Sequence, residues 1–132
     1  MQVADLERLS RFIFFSKWYA RTTRRVKPDA FIPHPYIELS VSCTDGLSDE
    51  VVWNIGNDTA TSRRDNPALH GRADLKTKVI RQQALDVVRD DNPLYHANIV
   101  GWGGERSAQI SKAQQILLQV SCYSQEKRQQ QL

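Results

Sequence analysis

The chain has 132 residues, enough for one domain and too few for two of ordinary size. Charged residues make up 25% and apolar residues 40%, which argues against wholesale disorder, and 18 Lys plus Arg against 15 Asp plus Glu leave a net charge of only +3. Two cysteines without a CxxC argue against a disulfide-rich scaffold or a structural zinc site, and Asp5 and Glu7 interrupt what would be the apolar core of a signal peptide.

In chain order, residues 3–10 have Leu6 and Leu9 spaced for one face of a short helix. Residues 11–15 (RFIFF) are a short aromatic-rich apolar run and read as a buried strand. Residues 17–27 show no clean period and hold five cations, so they read mostly as loop. Pro28, Pro33 and Pro35 remove backbone donors and argue against a helix through 30–36. Residues 37–43 (IELSVSC) then alternate strictly: Ile37, Leu39, Val41 and Cys43 point one way, and Glu38, Ser40 and Ser42 the other.

Asp45-Gly46 marks a turn. Ser48 as N-cap, Asp49 and Glu50 in the first turn and Gly56 as a left-handed stop predict a helix over 49–55, burying Val51, Val52 and Ile55 and continuing weakly to Ser62. The loop over 63–70 contains Asn66-Pro67. Residues 71–77 alternate Arg72, Asp74 and Lys76 with Ala73, Leu75 and Thr77, which predicts an exposed strand, followed by about two helical turns to Ala84.

Residues 85–89 and 96–102 read as strands separated by the turn Asp90-Asp91-Asn92-Pro93. Ile110, Ala113, Leu117 and Val120 recur at helical spacing, so residues 107–122 are expected to form a long amphipathic helix. Leu39, Val41, Ile99, Leu117 and Val120 are expected core. The polar end, 125–132, reads as a disordered tail after a single domain over 1–124. Strands and helices mix without βαβ regularity, so the class is α+β: a small mixed or antiparallel sheet of about four to five strands, with a short helix and the long C-terminal helix packed on it.

Three stretches together carry a resemblance. Arg25-Val26-Lys27-Pro28 with Ala30-Phe31 leads into Glu38-Leu39-Ser40-Val41. Gly46-Leu47-Ser48 leads to Trp53 and Gly56, and His96-Ala97-Asn98-Ile99-Val100-Gly101-Trp102 closes the pattern. This resembles a group of small bacterial proteins of no known activity, over most of residues 11–120. The resemblance implies one domain and no particular chemistry. Cys43 departs from it, standing where a basic residue is common in the group.

Two functional readings follow. Arg21, Arg24, Arg25 and Lys27 lie within seven residues, near Trp18 and Tyr19, and residues 67–83 add Arg72, Lys76, Lys78 and Arg81 against one acid. Guanidinium groups grip phosphate and aromatic faces stack bases. A basic face of Arg21, Arg24, Arg25, Lys27, Arg72 and Lys76 therefore points to a small binding module for nucleic acid or an acidic protein partner. The ordinary alternative is a solvated surface, since +3 is modest.

The second reading is a small enzyme acting on a nucleotide-like substrate, because His96, Asn98 and Trp102 share one face of a strand and could line a pocket. A histidine bonded to a neighbouring backbone is the commoner outcome. Ser40 and Ser42 lie in no GxSxG, Asp90 belongs to a proline turn, and Gly101-Trp102-Gly103-Gly104 matches neither a dinucleotide fingerprint nor a P-loop. No metal site is expected, because His34, His70 and His96 fit no ligand spacing, and no cofactor is implied. The chain is expected to be cytoplasmic and to make no contact with membranes.

Overall fold

A computed structural model describes residues 2–20, 22–23 and 25–124. Arg21, Arg24 and the expected tail at 125–132 lie outside the described residues. The elements run β1 (Arg8–Ile13), a 3-10 turn (Ser16–Trp18), β2 (Tyr19–Ala20), β3 (Arg25–Val26), a second 3-10 turn (Pro28–Phe31), β4 (Leu39–Cys43) and α1 (Asp49–Ser62). They continue with β5 (Gly71–Lys76), α2 (Thr77–Arg81), β6 (Asp86–Arg89), β7 (His96–Val100), α3 (Arg106–Leu117) and β8 (Ser121–Ser124).

Six strands form one antiparallel sheet in the order β6-β7-β4-β1-β5-β8, and β2 and β3 form a separate ribbon. The sheet is thus larger than the four to five strands expected. Alternation divides β1 between two layers. Leu9 and Ile13 join a core with Leu39, Val41, Ala97 and Ile99, covered by Val79 and Ile80 of α2, Ala113 and Ile116 of α3, and Phe31. Phe12 faces the other way and packs, with Phe14, against Val52 and Ala60 of α1. The helices therefore cover both faces of the sheet.

Four expectations are corrected. Residues 3–10 are not a helix: Arg8 already belongs to β1, and Leu6 is exposed. Its last three residues, Arg8 to Ser10, open a central strand, where sheet hydrogen bonds and two packed faces outweigh a short helix. Gly56 does not stop α1 but lies inside it, buried, because the helix crosses Phe12 there with no room for a Cβ. Val51 is exposed and Trp53 takes the buried position instead.

The third concerns β5, which is paired on both sides and covered by α1, so Arg72 and Asp74 are buried and the strand is not an exposed one. The fourth is the C-terminal helix. It ends at Leu117, where Leu118 N–H donates back to the Gln115 carbonyl at 3.3 Å and Gln119 N–H to Ile116 at 3.0 Å, tightening the last turn. Residues 121–124 are β8, and Cys122 stands opposite Ala73. The buried stripe of α3 is Gln109, Ala113 and Ile116, while Leu117 and Val120 are only partly buried against the core. Among the described residues no helix is long and apolar enough to cross a membrane.

Candidate functional site

Strands β1 and β4 pair only at Leu9–Cys43 and Ser10–Ser42, and beyond that register α1 and the β6–β7 turn stand on either side of a cleft. Its volume is about 530 Å³, within the range of small-molecule sites. Phe12, Phe14, Val41, Ile55, Leu94 and Tyr95 form the apolar lining; Ser40, His96, Arg11, Arg63 and Asp58 are among its polar residues.

At one side of the cleft three residues make a hydrogen-bonded chain. His96 Nδ1 lies 2.7 Å from Asp90 Oδ1, and His96 Nε2 lies 3.2 Å from Ser40 Oγ. An ionised carboxylate only accepts, so Nδ1 carries the proton and Nε2 is left to accept the Ser40 hydroxyl. The His96 hydrogen bond, helped by Asn92 N–H, holds the Asp90 carboxyl below the usual carboxylate range. Backbone geometry places these groups. Ser40 and Ser42 share the polar face of β4, and the ladder sets Ser42 opposite His96. The turn returns Asp90 to the same end: Asp90 N–H donates to the His96 carbonyl at 3.1 Å, and His96 N–H to that of Pro93 at 2.9 Å. Asp91 (φ 50°) and Tyr95 (φ 75°) hold left-handed backbone in this turn, a conformation costing about 1–3 kcal/mol that concentrates at functional sites.

Elsewhere in the lining two guanidinium groups rest on aromatic rings. Arg63 lies 5.0 Å from the Phe14 ring centre and 5.7 Å from that of Phe15; Arg11 lies 5.0 Å from Trp18, which meets Phe15 edge-on at 4.7 Å. Arg11 bridges the gap between the splayed strands, donating to the Ala30 carbonyl (2.9 Å) and the Ser40 carbonyl (2.9 Å). Burial, and then the charge of Arg63, lowers its pKa to about 10. Arg63 also makes a loose ion pair with Asp65 at 3.7 Å.

The expected site residues are scattered by the fold. Arg72 belongs to no open basic face. It is 1% exposed, bonded to Asp49 (2.7 Å) and Asp74 (3.2 Å), and lies between the rings of Trp53 (4.8 Å) and Tyr123 (4.9 Å). Lys76 is exposed but pairs with Arg8 at one end of β1, whereas exposed Arg25 and Lys27 belong to the ribbon that follows the Ile13 end. Among the described residues, then, Arg72 is closed off, and Lys76 lies at the other end of β1 from Arg25 and Lys27.

His96 does line the cleft. Asn98 shares its sheet face, opposite Ser40, but is not among the cleft's lining residues. Trp102 is withdrawn from it altogether: Gly101 takes φ 97° after β7 ends, and the indole is buried in the core, donating to the Ile99 carbonyl at 3.0 Å. What sequence reasoning missed is the grouping of Ser40 and Asp90 with His96, and of Arg11 with Arg63. The shared polar face of Ser40 and Ser42 is the one signal for it, and it becomes informative only once β4 is known to pair with β7.

A second hollow of about 480 Å³ lies near Arg8, Lys76 and Tyr123. Its Arg8 is already committed to Thr44 and Leu47 carbonyls, and its Asp74 to Ser10 and Arg72. Among the described residues no cluster of three or more His, Cys, Asp or Glu suited to a metal ion occurs. Compared with protein-family models, curated protein sequences and solved structures, the chain has no match in any of the three.

Proposed function

We propose that this protein binds, in the cleft between α1 and the β4–β7 strands, a small molecule with an apolar or aromatic body and one anionic group. The observation that carries this reading is that Arg11 and Arg63 both line the cleft and both rest on the Phe14–Phe15–Trp18 aromatic cluster. Like charges held near one another in a partly apolar hollow are relieved by an anion bound beside them. The apolar walls supply the area for the rest of the ligand. Asp58 in the same lining opposes a polyanion lying along the cleft. A nucleoside monophosphate and an aromatic sulfonate both have the required form.

The test is a fluorescence titration with anilinonaphthalene sulfonate, located by amide chemical-shift changes. Saturable binding is expected, with shifts concentrated around Arg63 and residues 94–96. Arg63→Gln should weaken it about tenfold, the worth of one charge-assisted contact. No binding by the folded wild type, or equal affinity in Arg63→Gln, sinks the reading.

A second reading, contact of nucleic acid or an acidic protein with Arg25 and Lys27, is favoured by the exposure of both, with Lys27 N–H bonded to the Trp18 carbonyl and Arg25 opposite Ala20. It predicts steep salt dependence for oligonucleotide binding and a slope reduced by about one unit per lost phosphate contact. An oligonucleotide that binds no better than to an unrelated protein of similar charge would remove it.

A further inference from the structure

We propose that Ser40 is an acyl-accepting nucleophile for carboxylic esters bound in this cleft, with His96 as its general base and Asp90 as the residue that positions His96. The inference rests on the reading of the cleft as a ligand site and adds a reaction to it. Three observations support it. The base is within hydrogen-bond reach of the nucleophile, at 3.2 Å, and the orienting carboxylate is at 2.7 Å from the other ring nitrogen. Ser40 is exposed while His96 is mostly covered, so a substrate reaches the hydroxyl without displacing the imidazole. Arg11 donates to the main-chain carbonyl of Ser40 and lines the same cleft, so a positive charge stands beside the residue whose attack would turn the substrate's carbonyl oxygen into an oxyanion. Such a constellation is recognised by geometry and roles, whatever sequence motif surrounds it.

The reaction balances without a further reagent. As Ser40 Oγ bonds to the ester carbonyl carbon, its proton passes to His96 Nε2. The tetrahedral intermediate collapses by breaking the carbon–oxygen bond to the alcohol, which leaves with that proton. Water then attacks the acyl carbon, giving a proton to Nε2, and Ser40 Oγ departs and recovers it. The net change is ester plus water to acid plus alcohol. Asp90 keeps the proton on Nδ1 and stabilises the imidazolium formed in each half.

The experiment treats the intact protein with a fluorophosphonate probe and maps the adduct by peptide mass spectrometry, alongside hydrolysis of p-nitrophenyl butyrate. The adduct is expected on Ser40 and not on Ser42 or Ser10, and Ser40→Ala should abolish it while the amide spectrum stays folded. Asp90→Asn should slow labelling about a hundredfold at neutral pH and recover part of the loss in alkali, a change of pH profile that a purely structural role would not produce. An adduct elsewhere, or none while anilinonaphthalene sulfonate still binds, overturns the nucleophile and leaves the binding site standing. Labelling of Ser40 in a protein that does not bind the sulfonate supports the nucleophile and overturns the anionic ligand instead.

Discussion

Gly56 of α1 faces the ring of Phe12 so closely that a Cβ at this position would lie 2.7 Å from both Cδ1 and Cε1. The contact sets how near the helix can approach β1, and hence the floor of the cleft beside Ile55 and Thr59. Glycine inside a helix costs about 1 kcal/mol relative to alanine, so its presence here is explained by packing and not by propensity.

Gly56→Ala therefore gains helix propensity and loses fit. Overpacking costs about 1–3 kcal/mol, so the net effect expected is a loss of up to about 2 kcal/mol in urea unfolding, with Gly56→Val worse. Asn54→Ala, on the exposed face of the same helix, should be neutral or slightly stabilising. A Gly56→Ala protein more stable than wild type would mean that Phe12 can give way.

Arg72 ties three elements together. Its guanidinium joins Asp74 on β5 to Asp49 at the start of α1, and Asp74 also accepts from Ser10 Oγ at 2.6 Å. Arg72→Met keeps much of the volume but strips a buried carboxylate of its counter-charge, a change that costs about 3–5 kcal/mol. Lys76→Gln, four residues along and exposed, should stay within about 0.5 kcal/mol. Equal denaturation midpoints for the two variants would put Arg72 back among the surface cations.

Acid should loosen the β6–β7 turn. Hydrogen bonds from His96 and Asn92 hold the Asp90 carboxyl below its ordinary range, and the Arg89 guanidinium does the same for Asp91. A carboxyl whose folded pKa is depressed binds fewer protons folded than unfolded, so its stabilisation is present above the unfolded value, about 4, and is lost as pH falls through the folded one. The stability gap between wild type and Asp90→Asn should accordingly be present at pH 7 and shrink below about pH 4. A gap of the same size at pH 7 and pH 3 would show that Asp90 acts through its shape and not its charge.

Local patterns carried much of the secondary structure. Strict alternation located β4, which spans Leu39–Cys43 with Leu39, Val41 and Cys43 buried as expected. Ile37, expected on the same face, lies before the strand and is exposed, and Ser42 of the polar face is buried. Ser48, whose Oγ accepts from Val51 N–H at 3.3 Å, marked the start of α1. The end of the same helix was illegible, since Gly56 looks like a stop until Phe12 is known to lie beneath it. Likewise residues 121–124 continue a helical period in sequence, but β5 offers a free ladder that a helix would leave unpaired.

The sequence by itself determined which residues have chemistry to offer and which way the polar face of β4 points. Only the tertiary structure decided which of them meet. Arg72 is as cationic in sequence as Arg63, yet pairing on both sides of β5 and the cover of α1 bury the first, while the second remains in the rim of the cleft. Ser40 and Asp90 gain their relation to His96 from the β4–β7 register and a six-residue turn. Such pairings join positions far apart in the chain, and no local periodicity encodes which strand lies next to which.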